Sequence, residues 1–513
     1  MKRDIVHDLV IIGGGVNGCG IARDAAGRGM SVLLCDKADL GSATSSASTK
    51  LIHGGLRYLE HYDFKLVRHA LTEREKLWAI APHIIWPLRF VLPHRKGLRP
   101  AWMLRLGLFI YDHLGGRKLL PATKTLRLRR DPVGRPLRNV SGVGFEYSDC
   151  WVQDNRLVVL NAADAEARGA TILPRTECTG ARRENGIWNV TLRDNETGAV
   201  RQVRGKVLVN AAGPWVDRVI SDTIGIRAPG AVRLVQGSHI VVRRLYEHDR
   251  CYIFQNPDGR IFFAIPYEND FTLIGTTDAD YKGDPGAVAI TPAETDYLLK
   301  AASSYFNRDL THADLCWAYS GVRALYDNGA SSAQETTRDY VLALDRAPGQ
   351  ATLLSVFGGK ITTYRCLAED VLAKLAPEFP AIAGRAGWTA NAALPGGDFP
   401  VGTAAALARE LMREYSFLSP AEAERYVRHY GTKTRIILGG ARTRTDLGRQ
   451  FGGDLTEAEV AYLMDHEYAA AAGDVVWRRT KSGLRMTAEE IATLAGWMAT
   501  RHLRAPVREL QAG

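Results

Sequence analysis

Three glycines and one aspartate carry the strongest chemical signal in the chain. Gly13, Gly15 and Gly18 have the spacing GxGxxG, and Asp36 closes the apolar run that follows. Such a set can hold a dinucleotide. Gly13 permits a tight turn, Gly15 lets the backbone approach a pyrophosphate, and Gly18 lets a helix pack close to strands. The first N–H groups of that helix then face the phosphates. Asp36 is placed to accept both hydroxyls of a ribose, which a 2′-phosphate would forbid. Asn17 and Lys37, inside and just after the motif, join the candidate cofactor contacts. The motif alone does not separate NAD from FAD. Its place at the N-terminal end favours FAD.

Three further blocks fit a nucleotide or its ring system. Residues 206–215 form an apolar run that ends in Ala212, Gly213 and Trp215, small residues that allow close backbone approach. They read as the returning strand of the same cofactor unit. Residues 357–364 place Gly358 and Gly359 before Lys360 and Thr362, with an apolar helical pattern behind them. Paired glycines before a helix make an anion-receptive terminus. A flavin gathers negative charge near N1 and O2 on reduction, so a helix start there favours the reduced form. Residues 45–59 contain Ser45, Ser46, Lys50, His53, Gly54, Gly55, Leu56, Arg57 and Tyr58. Their small residues let a bulky planar ring approach the backbone, and Arg57 can offer a two-pronged donor to a phosphate.

These residues need a scaffold. Residues 9–12 and 32–35 read as strands around a helix rich in small residues (Ala22, Ala25, Ala26), which completes a βαβ unit. Asp63 is expected to cap a helix with Leu66, Val67, Ala70, Leu71, Leu77 and Trp78 on one face. Residues 251–255 and 260–267 flank Asn256-Pro257-Asp258-Gly259 and read as a hairpin, with 271–275 as a third strand. From about residue 388 the tail reads as helical, with capping boxes opening at Ser419, Thr456 and Thr487. Gly396, Gly397 and Pro400 suit a linker before it. The expected fold class is α/β. A discontinuous, Rossmann-like FAD-binding domain takes residues 1–80, 140–225 and 350–387. A basic segment takes 81–139, a substrate-binding cap 226–349, and a helical domain 388–513.

A chain of 513 residues can bury a large core in two or three domains. Its 46% hydrophobic and 24% charged residues are those of an ordinary globular protein. No apolar run approaches the roughly 20 residues of a membrane span. The seven cysteines are scattered, odd in number and free of CxxC spacing, which argues for a reducing compartment and against a metal cluster. The charge is uneven. Residues 89–138 hold 13 Lys and Arg against Asp112 and Asp131, a local +11 where the whole chain carries +10. The basicity therefore belongs to one segment and suggests one anionic partner surface. Residues 99–111 are apolar with arginines at the margins. A helix there with Trp102, Leu106 and Phe109 on one side could lie in a membrane interface. The plainer reading is a buried helix behind a solvated basic loop.

Taken together, residues 45–60, 144–151, 212–215, 237–242, 274–278, 319–323, 337–340 and 357–365 resemble the FAD-dependent, respiratory-chain-linked glycerol-3-phosphate dehydrogenases of the aerobic bacterial type. The resemblance covers nearly the whole chain and weakens near 280–315 and in the tail. It implies a cofactor domain like that of the amino-acid and sarcosine oxidases, a mixed sheet roofing the flavin, and a C-terminal helical domain. It also implies non-covalent FAD, so His53 is not assigned a bond to the flavin. Arg57, Tyr58, His239, Thr276, Arg323, Arg338 and Lys360 stand where such an enzyme contacts its substrate. Ala324 departs from the proline of the relatives, which loosens the loop behind Arg323.

The implied reaction oxidises sn-glycerol 3-phosphate to dihydroxyacetone phosphate, with electrons passing to a membrane quinone. Oxidising a secondary alcohol by hydride transfer needs a base for the hydroxyl proton, and histidine suits that near neutral pH. His239 is the base candidate, with Lys360 the next. Arg323, always protonated, is assigned to charge stabilisation. The implied place is the cytoplasmic face of the inner membrane, held peripherally by anionic lipid. A homodimer is carried as one reading of the assembly. An oxidase that uses O2 remains open. So does a flavoprotein that binds nucleic acid through the basic segment, although residues 117–138 lack an aromatic stacking platform and no nucleic acid is expected.

Overall fold

The computed structural model describes residues 5–95, 99–138, 142–228, 230, 232–275, 278–327 and 339–504. The chain opens with strand β1 (Val6–Ile12), helix α1 (Val16–Gly27) and strand β2 (Val32–Cys35). β1 and β2 pair in parallel, Leu9 beside Val32 and Ile12 beside Cys35. Both strands are almost wholly apolar, as a parallel strand covered on two faces requires. Around them runs a sheet in the order Val341–Asp345, Thr352–Phe357, Val200–Asn210, β1, β2, Thr171–Leu173. Strand Val200–Asn210 forks. Its second half pairs in parallel with β1, and its first half pairs antiparallel with Ile187–Asp194.

A second, ten-stranded sheet is mixed. Its long strands Val232–Arg243 and Leu315–Tyr326 pair antiparallel along most of their length. The expected hairpin forms from Cys251–Gln255 and Ile261–Tyr267, and Phe271–Gly275 adds the third strand. Strands Ile85–Pro93 and Val143–Val152 also belong here, joined to the hairpin where Cys251 pairs in parallel with Phe90. This differs from the sequence expectation, which gave 143–152 to the cofactor unit and 85–93 to the basic segment. Ile85–Pro93 is an apolar run broken by Arg89, and Val143–Val152 carries Glu146, Ser148 and Asp149 among its apolar residues; neither pattern says which sheet receives the strand.

Asp63 caps helix α2 (Phe64–Ile80), accepting from Leu66 N, and the expected apolar face is buried. Helix α3 (Ala101–Leu114) packs on α2 through Leu108 and Tyr111 and leaves Trp102, Leu106 and Phe109 in the open, 67%, 51% and 52% exposed.

The C-terminal unit has its own core, built from helices Ala404–Glu414, Pro420–Tyr430, Glu457–His466 and Ala488–Arg504. The boxes at Ser419 and Thr487 close in both directions. At Thr456 only half forms, because the Glu459 carboxylate turns to Arg425 and Tyr430. The glycines before this unit are not a loose linker. A Cβ on Gly396 would lie 2.2 Å from Tyr430 O, and one on Gly431 1.9 Å from Gly396 O, so the two backbones touch.

Candidate active site and cofactor cavity

The sequence signals converge on one cavity of about 1310 Å³ between the two sheets. At its floor Gly13 has φ +111°, and a Cβ there would sit 2.4 Å from Ala211 O. The first glycine turn is thus pressed against the 211–213 turn, as Ala211 N donating to Ile12 O at 2.8 Å also requires. A Cβ on Gly18 would meet Gly13 O at 1.9 Å, so helix α1 lies directly on the turn. Gly358 and Gly359, with φ +74° and +101°, close the third side. Asn17 donates from Nδ2 to Gly358 O at 3.2 Å, and its Oδ1 is buried without a hydrogen-bond partner among the described residues.

Asp36 spans the next stretch of wall. Its oxygens accept Gly14 N at 2.6 Å and Ala38 N at 2.8 Å. Burial raises its carboxyl to about 6, against the pull of those two N–H groups. Lys37 lies 4.1 Å over the ring of Trp215, and both line the cavity. Ser45 Oγ accepts Val16 N at 3.0 Å and so supplies one acceptor to the open end of α1.

Ser46, His53, Gly55, Leu56 and Tyr58 also line the space, with Lys360 and Thr362 across from them. Thr362 Oγ1 is 3.3 Å from His53 N, and Lys360 Nζ is 4.0 Å from the centre of the Tyr58 ring. Three expected cofactor contacts are not at the surface of the cavity. Gly18 packs the helix. Gly54 is held from behind, its N–H donating to Tyr111 Oη at 2.8 Å. Lys50 is fully buried, with Nζ 2.8 and 3.0 Å from the two oxygens of Asp154. A lone lysine in a hydroxyl-rich block looks like a phosphate ligand. Its carboxylate partner lies 104 residues away and leaves no local trace.

His239 sits in Val232–Arg243 between Gly275 and Tyr319 on the flanking strands. A Cβ on Gly275 would come within 2.3 Å of His239 Cδ2, so that glycine makes room for the ring. The imidazole stacks on Tyr319 at 4.8 Å and 13°, and its Nε2 is 3.0 Å from Thr49 Oγ1. Nδ1 is buried with no hydrogen-bond partner among the described residues. Burial, with Lys50 and Arg323 adding to it, lowers the ring to about 3, so it is neutral at physiological pH. Arg323 lines the same cavity, paired with Asp278. Thr276, Arg338 and the side chain of Arg57 lie outside the described residues.

Thr49, Tyr319 and Asp278 were not singled out from the sequence. Tyr319 and Asp278 stand inside the blocks at 319–323 and 274–278, and Thr49 inside 45–60, so position within those blocks was the available signal. Their contacts are all across strands or between loops.

Residues 8–365 match the family described as FAD dependent oxidoreductase, and residues 388–502 match the C-terminal domain of alpha-glycerophosphate oxidase. The chain is 50% identical, over 96% of its length, to the aerobic glycerol-3-phosphate dehydrogenase of Escherichia coli K12, 97% of which is covered. It is also 50% identical, over 97% of its length, to the D-erythritol 1-phosphate dehydrogenase of Brucella abortus, 98% of which is covered. Among solved structures, the glycerol-3-phosphate dehydrogenase from Bacillus halodurans complexed with FAD superposes with a TM-score of 0.74 at 26% identity, covering 98% of this chain and 92% of that one.

Proposed function

This chain belongs to the FAD-dependent glycerol-3-phosphate dehydrogenase family and uses FAD, and from that premise we propose that it oxidises sn-glycerol 3-phosphate to dihydroxyacetone phosphate and delivers the electrons to a membrane quinone. The observation that carries the reading is convergence. The glycine turn at 13–18, the 211–213 turn and the Gly358-Gly359 loop share one cavity with His239, Arg323 and Lys360. The cofactor fits these residues. Gly213 lines the cavity with open space where a Cβ would stand, and Asn17 Oδ1 has no hydrogen-bond partner among the described residues. His53 has no part in a covalent bond in this proposal.

FAD, when bound, supplies the hydride acceptor for the carbinol carbon. The chain must hold the alcohol and remove its hydroxyl proton. His239 is the base. If Nε2 donates to Thr49 Oγ1, the lone pair is on Nδ1, and stacking on Tyr319 keeps the ring plane fixed. A base near 3 is a weak one. Lys50 and Arg323 both lower it, and the negative charge of a bound phosphate ester would oppose theirs and raise its proton affinity. Arg323 steadies negative charge at the forming carbonyl oxygen. Arg57, Arg338 and Lys360 are assigned to the phosphate, which suits fork-shaped and point cations together. Thr276 and Tyr58 complete the substrate contacts.

The Brucella relative, equally similar, favours a second reading in which the substrate is a longer polyol phosphate. Anaerobic bleaching of the bound flavin by glycerol 3-phosphate, D-erythritol 1-phosphate and glycerol decides between them. Bleaching by glycerol as fast as by its phosphate would end both. Reoxidation by a soluble quinone, compared with O2, tests the acceptor.

For the surface, seven of the eleven exposed large apolar side chains among the described residues fall on neighbouring elements. They are Tyr62, Phe64, Trp102, Met103, Leu106, Phe109 and Leu119. Arg127, Arg129 and Arg130 are exposed in the same basic segment. An apolar face with a basic surround fits an anionic bilayer, and this is the proposed peripheral attachment. No helix among the described residues is long and apolar enough to cross a membrane.

A further inference from the structure

We infer that the C-terminal unit completes the cofactor site, with residues 474–479 acting as a clamp on the loop that follows Asp36. The loop is anchored to the phosphate-binding turn at two points. Asp36 accepts Gly14 N, and Gly41 N donates to Gly14 O at 2.9 Å. Between those points Asp39 turns away from the cavity and is buried. Arg479 meets it as a fork, Nη1 to Oδ2 at 2.7 Å and Nη2 to Oδ1 at 2.8 Å. Arg478 adds Nε to Oδ2 at 2.6 Å. The two arginines come from the C-terminal unit, some 440 residues along the chain.

The clamp is itself braced. Asp474 pairs with Arg478 and with Arg175, whose N–H donates to Ala38 O at 2.9 Å, within the same loop. Arg479 Nη2 also holds Glu467 O at 2.8 Å, and Glu467 forms a buried bidentate pair with Arg156 on the cofactor side. Burial works against the charge on Asp39, but the two guanidinium groups outweigh it and keep the carboxyl below its ordinary range. Buried, multiply bonded charge of this kind is costly to leave half-paired, so the geometry is held stiffly.

The segment also reaches the cavity. Trp477 and Arg478 line it, and Trp477 stacks on Trp317 at 4.9 Å and 18°. Trp317 in turn lies 5.0 Å from Tyr319, the ring under His239. Residues 477–479 therefore touch both the cofactor loop and the strand that supports the base. Asp39 does not face the cavity and acts through Asp36 and Gly14, so it is a positioning residue. Arg479 is a positioning residue for the same reason, whereas Arg478 reaches both Asp39 and the cavity wall.

The test uses the holoenzyme and needs no substrate. FAD release is followed by recovery of free flavin fluorescence after dilution, and melting temperature is measured with and without added FAD. Arg478→Ala removes a side chain that is 23% exposed and leaves Asp39 its fork with Arg479, and it should speed release several-fold. Arg479→Gln should speed it about tenfold or more, as loss of a charge-assisted pair implies. Arg435→Ala, which breaks a surface pair with Glu414 inside the C-terminal unit, should release FAD at the parental rate. The gain in melting temperature from FAD should shrink in the clamp variants, because that gain reports affinity. A merely structural role would lower both melting temperatures and leave the gain unchanged, and that result would overturn the proposal. So would parental release from Arg478→Ala. If Arg479→Gln fails to fold, Arg478→Ala decides alone.

Discussion

Tyr111 donates its hydroxyl to Asp149, 2.8 and 2.9 Å from the two carboxylate oxygens, and accepts the N–H of Gly54 on the same oxygen. Arg74 Nη1 completes the set at 2.6 Å from Asp149 Oδ1. All four groups are buried. Tyr111 belongs to α3, the helix with the exposed apolar face, so that face is joined through one hydroxyl to the loop carrying His53 and Gly55.

Tyr111→Phe keeps the ring and removes the hydroxyl. Asp149 then loses the hydroxyl and Gly54 N keeps only its longer bond to Asp149 Oδ1 at 3.4 Å, while Arg74 still neutralises the carboxylate. Losing one buried hydrogen bond while each group keeps another partner costs about 0.5–1.5 kcal/mol. Urea unfolding should show a loss in that range. A loss below about 0.5 kcal/mol, the scale of a neutral surface change, would mean that the network does not hold the loop.

If Asp36 holds the ribose as proposed, cofactor retention should depend on pH. Its folded carboxyl is raised to about 6, above its unfolded value. The sign follows: stability from the protonated group is full below the unfolded value and is lost as pH rises through 6. FAD bound as proposed would reverse the preference, because ribose hydroxyls would donate to the carboxylate form. FAD affinity should therefore fall as pH drops from 7 to 5. Asp36→Asn should bind FAD more weakly at pH 7 and lose this dependence. Fluorescence titration at several pH values checks both. An Asn variant with the parental slope would remove Asp36 from the effect.

Arg127, Arg129 and Arg130 are exposed, and each basic residue near an anionic surface contributes about 1 kcal/mol, screened by salt. Reversing all three to Glu should release the protein from anionic vesicles and leave turnover with a soluble dye intact. Trp102→Ser should weaken binding in high salt as well, since the apolar part is not screened. Unchanged sedimentation of the triple variant with vesicles would show that this segment is not the anchor.

What local pattern can carry was legible in the sequence. Strand β2 is found at the residues expected, the hairpin turns at Asn256 to Gly259, and Asp63 caps α2. What failed was pairing at a distance. Lys50, expected at the cofactor, is paired with the buried Asp154, because a buried cation must find its counter-charge. Glu459 leaves the Thr456 cap for Arg425 and Tyr430, since a buried carboxylate takes the charged donor over a backbone N–H. The strands 85–93 and 143–152 join the second sheet through contacts such as Cys251 with Phe90 that no short window contains. The clamp on Asp39 is of the same kind.

The catalytic assignment turns on His239. It is buried, neutral, stacked on Tyr319 and aligned by Thr49. If it takes the hydroxyl proton, His239→Ala should slow anaerobic flavin reduction by about 10²–10⁴, the usual worth of a positioned base. Added imidazole should recover part of the rate, because Gly275 leaves a slot that only the ring fills. Thr49→Val should do less, since it frees the ring without removing it. The pH profile gives a second check. Free enzyme with a ring near 3 has no His titration between pH 5 and 8, so the profile of kcat/KM should lack a limb from this group there. The profile of kcat should show an acid limb moved upward, because bound phosphate raises the ring. Reduction at the parental rate in His239→Ala would take the base role from this residue and leave Lys360 as the candidate to test, while the family and the cofactor stand.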